Sequence, residues 1–269
     1  MPMIQGTTGN IIGGKILVNG TNLAELSEKE MQKRRGNEIA MVFQEPMTSL
    51  NPVITIGVQM ARAMRLHQKL EKQKVREKSI QLLEKVGIKH AEKTLHAYPH
   101  EVSGGMRQRI MIAMAMINKP SLLICDEPTS ALDVIVQDQI IKLIRSLCVQ
   151  EEMAVLFITH DMSVVAQIAD QIAVMYLGNI VEVIPGADVM EKSVHPYTQA
   201  LLKAIPIADP KRALSLEQFG MKGELPSPLH VPSGCRFHTR CPYAMDLCRQ
   251  QEPELEERTP GHLVACWKK

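Results

Sequence analysis

The chain has 269 residues, 45% of them hydrophobic, with 31 basic side chains against 29 acidic ones and a net charge of +2. That is enough apolar material for one large core with an appendage, and so balanced a charge gives no field to draw nucleic acid or an anionic membrane, which predicts no nucleic-acid partner. No apolar run nears the roughly 18 residues of a membrane span, and the first residues lack the charged and apolar parts of a signal peptide, so a soluble, cytoplasmic chain is expected.

Residues 9–16, GNIIGGKI, have the spacing of a phosphate-binding loop, with Gly9, four residues, Gly14 and Lys15. Such a loop needs a buried strand before it, a helix after it, and Ser or Thr following the lysine. Ile16 stands at that last position, nothing before Gly9 reads as a buried strand, and ILVNG reads as a strand entering a turn. GNIIGGKI is therefore predicted to be a turn and a strand, and the 269 residues offer no other candidate for the loop. KILVNG and EIAMVFQ read as short strands. Residues 57–119 carry a helical pattern rich in Lys, Glu, Gln, Leu and Met. SLLICDEP and MAVLFITHD read as buried strands, and the amphipathic VIVQDQIIKLIRSL between them completes the strand, helix, strand order of a parallel α/β sheet. QIAVMYLGNIVEVIP reads as a hairpin turning at Gly178-Asn179, and from about Pro185 prolines and cysteines become frequent and periodicity fades, as in an appendage. There is no internal repeat and no low-complexity tract.

Three groups of residues carry chemistry. In LLICDEPTSALD an apolar strand runs into Asp126 and Glu127, placing two carboxylates at the carboxyl edge of the sheet, where ligands bind in open α/β folds. Asp126 suits a magnesium ion and Glu127 an attacking water; the plainer alternative is an acidic helix start before Pro128. In VSGGMRQRIMIAMAMI, Ser103, Gly104 and Gly105 precede a helical run, and glycine backbone at a helix N-terminus approaches an anion closely. Taken alone this is a helix cap, and the Met and Ile stripe behind it is core packing. Cys125 and Cys148 lie in apolar surroundings, whereas Cys235, Cys241, Cys248 and Cys266, separated by five, six and seventeen residues, crowd the C-terminal end. Without a secretory signal they read as a metal or cluster site, and four thiolates suit structural zinc or an iron–sulfur cluster equally, although the close spacing usual for zinc is not met.

Gln44 in VFQEP, Ser103-Gly104-Gly105 in VSGGMRQR, Asp126-Glu127 in LLICDEPTSALD and His160 in FITHD stand in the order and approximate spacing of an ABC-type ATPase subunit, which the chain resembles. The resemblance implies an α/β fold with a RecA-like parallel core and an inserted helical subdomain over about residues 57–119. It makes Gln44 the Gln-loop residue near magnesium and water, Ser103 to Gly105 the signature loop, Asp126 the magnesium ligand, Glu127 the catalytic carboxylate and His160 the switch histidine. Asp133 in SALD matches the loop that crosses a dimer interface. A lone histidine is usually structural, but one directly after the apolar VLFIT and before Asp161 suits a γ-phosphate contact.

FQEPMTSLNPVITIG, HAYPHEVSGGMRQR and HPYTQALLKAIP narrow the resemblance to the ATP-binding subunits of dipeptide and oligopeptide importers of the peptide/nickel family. This implies an ATPase domain over residues 1–184 and a small irregular extension over 185–269, in which Cys235, Cys241, Cys248 and Cys266 resemble the ligands of a 4Fe-4S cluster, with zinc the alternative. It further implies ATP and magnesium as cofactors, a head-to-tail pairing with a second ABC ATPase subunit, membrane permease subunits as partners, an extracytoplasmic peptide-binding protein reached through them, and a peripheral place on the cytoplasmic face of the membrane. The sequence departs from that pattern at its start: the strand, phosphate loop, helix and adenine-stacking aromatic that family members place before IIGGKILVNG are not among these residues. An N-terminally truncated ATPase, inactive by itself, is the expectation. The alternatives are a degenerate subunit lending its signature loop to a partner and a soluble ABC ATPase of DNA repair or translation. The last predicts coiled-coil insertions or a second cassette, and neither is present. A tail from about residue 225 acting as an independent metal-binding module is a further possibility.

Overall fold

Asn19 and Gly20 take left-handed backbone, at φ 47° and 75°, and close a hairpin between β1 (Leu17–Val18) and β2 (Thr21–Asn22). Such a turn matches the natural twist of paired strands. The chain is seen as a computed structural model that describes residues 11–45, 49–130, 132–205 and 223–268, in two units, Met1–Ile158 and Thr159–Lys269. Gly9, the first residue of the loop-like GNIIGGKI, lies outside the described residues, and Lys15 leads into the β1 hairpin instead of a helix.

In the first unit α1 (Glu28–Arg34) begins with a capping box: the Ser27 hydroxyl accepts from the Glu30 N–H and the Glu30 carboxylate accepts from the Ser27 N–H. After β3 (Ile39–Val42) the stretch read as helical folds into α2 (Ile56–Arg65), α3 (Lys72–Lys85), α4 (Ala91–His96) and α5 (Gly104–Ala115). Next come β4 (Leu122–Asp126), α6 (Val134–Gln150) and β5 (Ala154–Ile158). The strands form a parallel sheet in the order β3-β4-β5. Met60, Met64, Leu83, Ile110, Ile112, Leu123, Ile140 and Leu147 form its fully buried centre. MAVLFITHD, expected as a buried strand, differs: Leu156 is 50% and Ile158 43% exposed. The reason is position, because β5 has β4 on one side and no other described strand of its sheet on the other.

The second unit runs α7 (Met162–Ile168), β6 (Gln171–Tyr176), β7 (Asn179–Pro185), α8 (Val189–Lys192), α9 (Pro196–Lys203), α10 (Asp246–Gln250), β8 (Glu256–Thr259) and β9 (His262–Val264). The expected hairpin is present, but it turns one residue early. Leu177 and Gly178 take left-handed φ of 45° and 83°, and Asn179 already pairs with Tyr176. The tail is less irregular than its composition suggests, since β8 and β9 extend the hairpin into an antiparallel sheet ordered β6-β7-β9-β8. Ile172, Val174, Tyr176, Ile184, Val189 and Phe237 form this unit's core. No described helix is long and apolar enough to cross a membrane.

Candidate functional site

The carboxyl end of β4 holds the first group. Glu127, one residue past the strand, takes φ 45°, uncommon for a side chain with a Cβ and worth about 1–2 kcal/mol of strain. The turn is fixed around it: its N–H donates to the Ile158 carbonyl (2.9 Å), and its own carbonyl accepts from the Ser130 N–H (3.3 Å) and hydroxyl (3.1 Å). The Gln44 amide, two residues beyond β3, donates to the Glu127 carboxylate across 3.0 Å. Adjacent parallel strands therefore deliver these side chains, 83 positions apart in sequence, to one edge of the sheet. Asp126, the last residue of β4, is half-buried beside them in the chain. A half-buried carboxylate and an amide oxygen are ligands that a hard divalent cation accepts.

Ser103 caps α5, its hydroxyl accepting from the Met106 N–H across 3.3 Å. A Cβ on Gly105 would stand 2.9 Å from the Val136 side chain of α6, so glycine lets the two helices approach here. A Cβ on Gly104 would meet Leu132 at 4.0 Å. The glycine turn thus packs against the start of α6, where Asp133 accepts from the Ile135 (3.1 Å) and Val136 (3.0 Å) N–H groups as N-cap. Asp133, expected at an interface, has this helix-starting bond within its own chain as well. His160 belongs to the second unit and is exposed, just before Asp161, which caps α7 by accepting from the Ser163 N–H at 2.9 Å.

The second unit gathers Cys235, Cys241, Cys248 and Cys266 around one small cavity, with His195 and Trp267 also in its wall. All four are free thiols. Burial pushes the Cys235 thiol up to about 11, and the charges of the other three cysteines raise it further against a backbone hydrogen bond from Phe237. Burial likewise raises Cys241 and Cys266. Sulfurs that raise one another's pKa share one neighbourhood, and a thiophilic cation there would reverse the sign of that effect. Gly234, at φ 65°, makes the fold of this loop possible, since a Cβ on it would stand 2.5 Å from the Cys248 carbonyl. The donor chemistry suits a soft metal, but among the described residues no three His, Cys, Asp or Glu side chains are disposed to hold a metal ion. The thiols are brought together without the geometry of a ligand set.

Two residues beside this cavity escape a reading by motif. Glu182 is fully buried, and His262 donates to it across 2.8 Å. The available signal was the single carboxylate inside the apolar NIVEVIP strand.

Residues 2–130 match the ABC transporter family and residues 181–248 match the C-terminal region of oligopeptide/dipeptide transporters. The chain is 46% identical over 266 residues to a probable peptide ABC transporter ATP-binding protein, y4tR, of Sinorhizobium fredii, covering 99% of this chain and 79% of that one. It is 43% identical over 268 residues to the oligopeptide transport ATP-binding protein AppD of Bacillus subtilis, with 99% and 80% covered. To OppD of Escherichia coli, also an oligopeptide transport ATP-binding protein, it is 46% identical over 257 residues, with 96% and 75% covered. The fold is similar to the ATP-binding cassette MJ0796 bound to ADP and Pi, at TM-score 0.58 and 23% identity over 65% of this chain and 74% of that one. With relatives of this identity matched along nearly its whole length, the chain belongs to the ABC transporter ATPase family, in the branch that carries the oligopeptide/dipeptide transporter C-terminal region.

Proposed function

We propose that the chain is the ATP-binding and ATP-hydrolysing subunit that powers uptake of di- or oligopeptides through an ABC importer. The observation that carries this reading is the Gln44–Glu127 hydrogen bond at the carboxyl edge of the parallel sheet, in a chain whose relatives are peptide-transport ATP-binding proteins. In this reading residues 1–184 form the ATPase domain and residues 185–269 the importer-type extension. The subunit sits on the cytoplasmic face of the membrane, paired with a second ATPase subunit and docked on permease subunits that receive peptide from an extracytoplasmic binding protein.

Water attacks the γ-phosphorus as the bond to the leaving ADP oxygen breaks, and Glu127 orients that water and takes its proton. Gln44 holds the Glu127 carboxylate in place and, with Asp126, would hold magnesium, which when bound neutralises charge on the transferring phosphoryl group. His160 steadies the γ-phosphate. Ser103, Gly104 and Gly105 present backbone N–H groups at the start of α5 to the nucleotide of the partner subunit, and Asp133 lies at the same seam. In the assembled transporter, Glu127→Gln keeps the shape and the Gln44 contact but removes the base. ATP turnover should fall by about a hundredfold or more while ATP binding persists. Turnover within a factor of two of the parent would remove Glu127 from this role.

The 269 residues contain no Gly-x4-Gly-Lys-Ser/Thr run, so by themselves they lack the lysine and backbone cradle that hold β- and γ-phosphates. As an isolated polypeptide they bind MgATP poorly and do not turn it over; the glycine turn of α5 can still serve a partner's nucleotide. For the four cysteines of the extension the family resemblance favours a structural 4Fe-4S cluster, with zinc the alternative; they line one cavity, although in the positions seen no three of them are disposed around a metal ion. Iron and sulfide with visible absorbance near 400 nm distinguish the cluster from a single zinc per chain.

A further inference from the structure

Glu182 is the only acidic residue of β7, and a bulge turns it inward. Val174 of β6 pairs with Glu182 and Met175 with Ile180, which leaves Val181 as an extra residue. Strict alternation would send Val181 and Glu182 to opposite faces; with the bulge both are buried. The buried carboxylate then takes three donors. One oxygen accepts from the Val194 N–H (2.7 Å) and the His262 ring (2.8 Å), the other from the His195 N–H (3.3 Å). A buried carboxylate persists only if it is paired and hydrogen-bonded, and here each donor lies on a segment that reaches the cysteine cavity. Val194 and His195 lead into His195 and Pro196, which line the cavity; His262 opens β9, which runs on into Cys266, Trp267 and Lys268, also in its lining.

We propose that Glu182 and His262 are a positioning pair for the cysteine site, a buried clasp that fixes the segments on which residues of the cavity wall lie. The titratable groups that face Glu182 are His262 from β9 and His195 from the start of α9, while its neighbour on β6 is Val174. Burial holds the His195 imidazole far below its usual range, down to about 4, and its Nδ1 is occupied as acceptor of the Tyr197 N–H. That leaves His262 as the side-chain donor to the carboxylate, and its side chain is only 6% exposed. In Glu182→Gln one acceptor oxygen becomes a donor, so the backbone of residues 194–195 and the imidazole of His262 compete for a single oxygen. Both segments loosen together. The clasp rests on the geometry of the cavity and needs no metal in it.

The test uses the full 269-residue chain, reduced and stripped with a chelator, and measures maleimide alkylation of each cysteine by peptide mass spectrometry. Cys148, in the first unit, is the internal reference. In Glu182→Gln the Cys266 to Cys148 rate ratio is expected to rise about tenfold, with the far-ultraviolet circular dichroism unchanged. His262→Gln gives a smaller rise, and the double variant adds little to Glu182→Gln. A parental ratio in Glu182→Gln overturns the clasp. Should Glu182→Gln fail to fold, His262→Gln decides, since it preserves the carboxylate: an unchanged Cys266 ratio there overturns the proposal too. Iron and zinc contents of untreated protein are measured separately, so an absence of metal defeats the metal reading while the alkylation ratio still decides the clasp.

Discussion

At the scale of single residues, the two ends of the chain's chemistry are governed by opposite environments. Gln44 and Glu127 meet near solvent, where an amide donor orients a carboxylate without desolvating it. His195 is 1% exposed, and burial lowers its pKa to about 4 against the slight opposing pull of Glu182. The folded state keeps this imidazole neutral well below the pH at which the unfolded chain protonates it. Stability from this residue is therefore intact above about pH 6.5 and is lost as pH falls toward about 4, by up to about 3 kcal/mol for a shift of this size. Urea unfolding midpoints measured at pH 7.5, 6, 5 and 4.5 should fall steadily over that window in the parent. A flat profile would mean that His195 is not buried neutral. Asp133 makes a second residue-scale test. Its side chain receives two N–H groups of α6, so Asp133→Ala should cost about 1 kcal/mol of stability, whereas Asp133→Ser, which still caps, should cost only a few tenths. If ATP turnover in the assembled transporter is lost in the serine variant as well, Asp133 acts at the seam beyond its capping bond.

Elements show how much local sequence is enough. The turns at Asn19-Gly20 and Leu177-Gly178 were legible because left-handed backbone selects Gly and Asn; the second slipped by one residue because a leucine took a left-handed position that propensity assigns to asparagine. The strand, helix, strand order of β4, α6 and β5 was legible from periodicity. The bulge at Val181 was not, since an extra residue leaves no compositional trace and appears only when the partner strand fixes the register. Gly186, immediately after β7, gives the sharpest element-level prediction. Its N–H donates to the Asp170 carbonyl at 2.9 Å, and a Cβ would collide with the carbonyl oxygen of Ala169. Because the obstacle is backbone, relaxation means parting β7 from the end of α7. Gly186→Ala should lower stability by about 3 kcal/mol or more, read as a depressed melting temperature, and a melting temperature within a degree of the parent would refute the close approach.

For the whole molecule, the proposed function divides between an edge of a parallel sheet and the surfaces of partners. The proposed activity is read in the assembled transporter; for the purified 269-residue polypeptide the proposal expects no ATP turnover above background, and turnover abolished by Glu127→Gln in that isolated chain would overturn the expectation. The extension should carry metal in proportion to its four cysteines, and chelation should lower its resistance to proteolysis; metal-free protein of unchanged resistance would leave the cavity a packed thiol cluster.

The sequence by itself determined the elements and the identity of the family, because hydrophobic periodicity, turn residues and the ordered motifs around Gln44, Ser103, Asp126, Glu127 and His160 are local and survive being read one segment at a time. Tertiary structure alone decided which of these meet. It brought Gln44 to Glu127 across adjacent strands, packed Gly105 against Val136, left β5 partly bare at a sheet edge, and folded the last strands back onto β7 so that Glu182 found His262. The physical reason is that a contact between distant residues depends on strand order and register, and those are set by the packing of the whole sheet, to which any one segment contributes only its pattern.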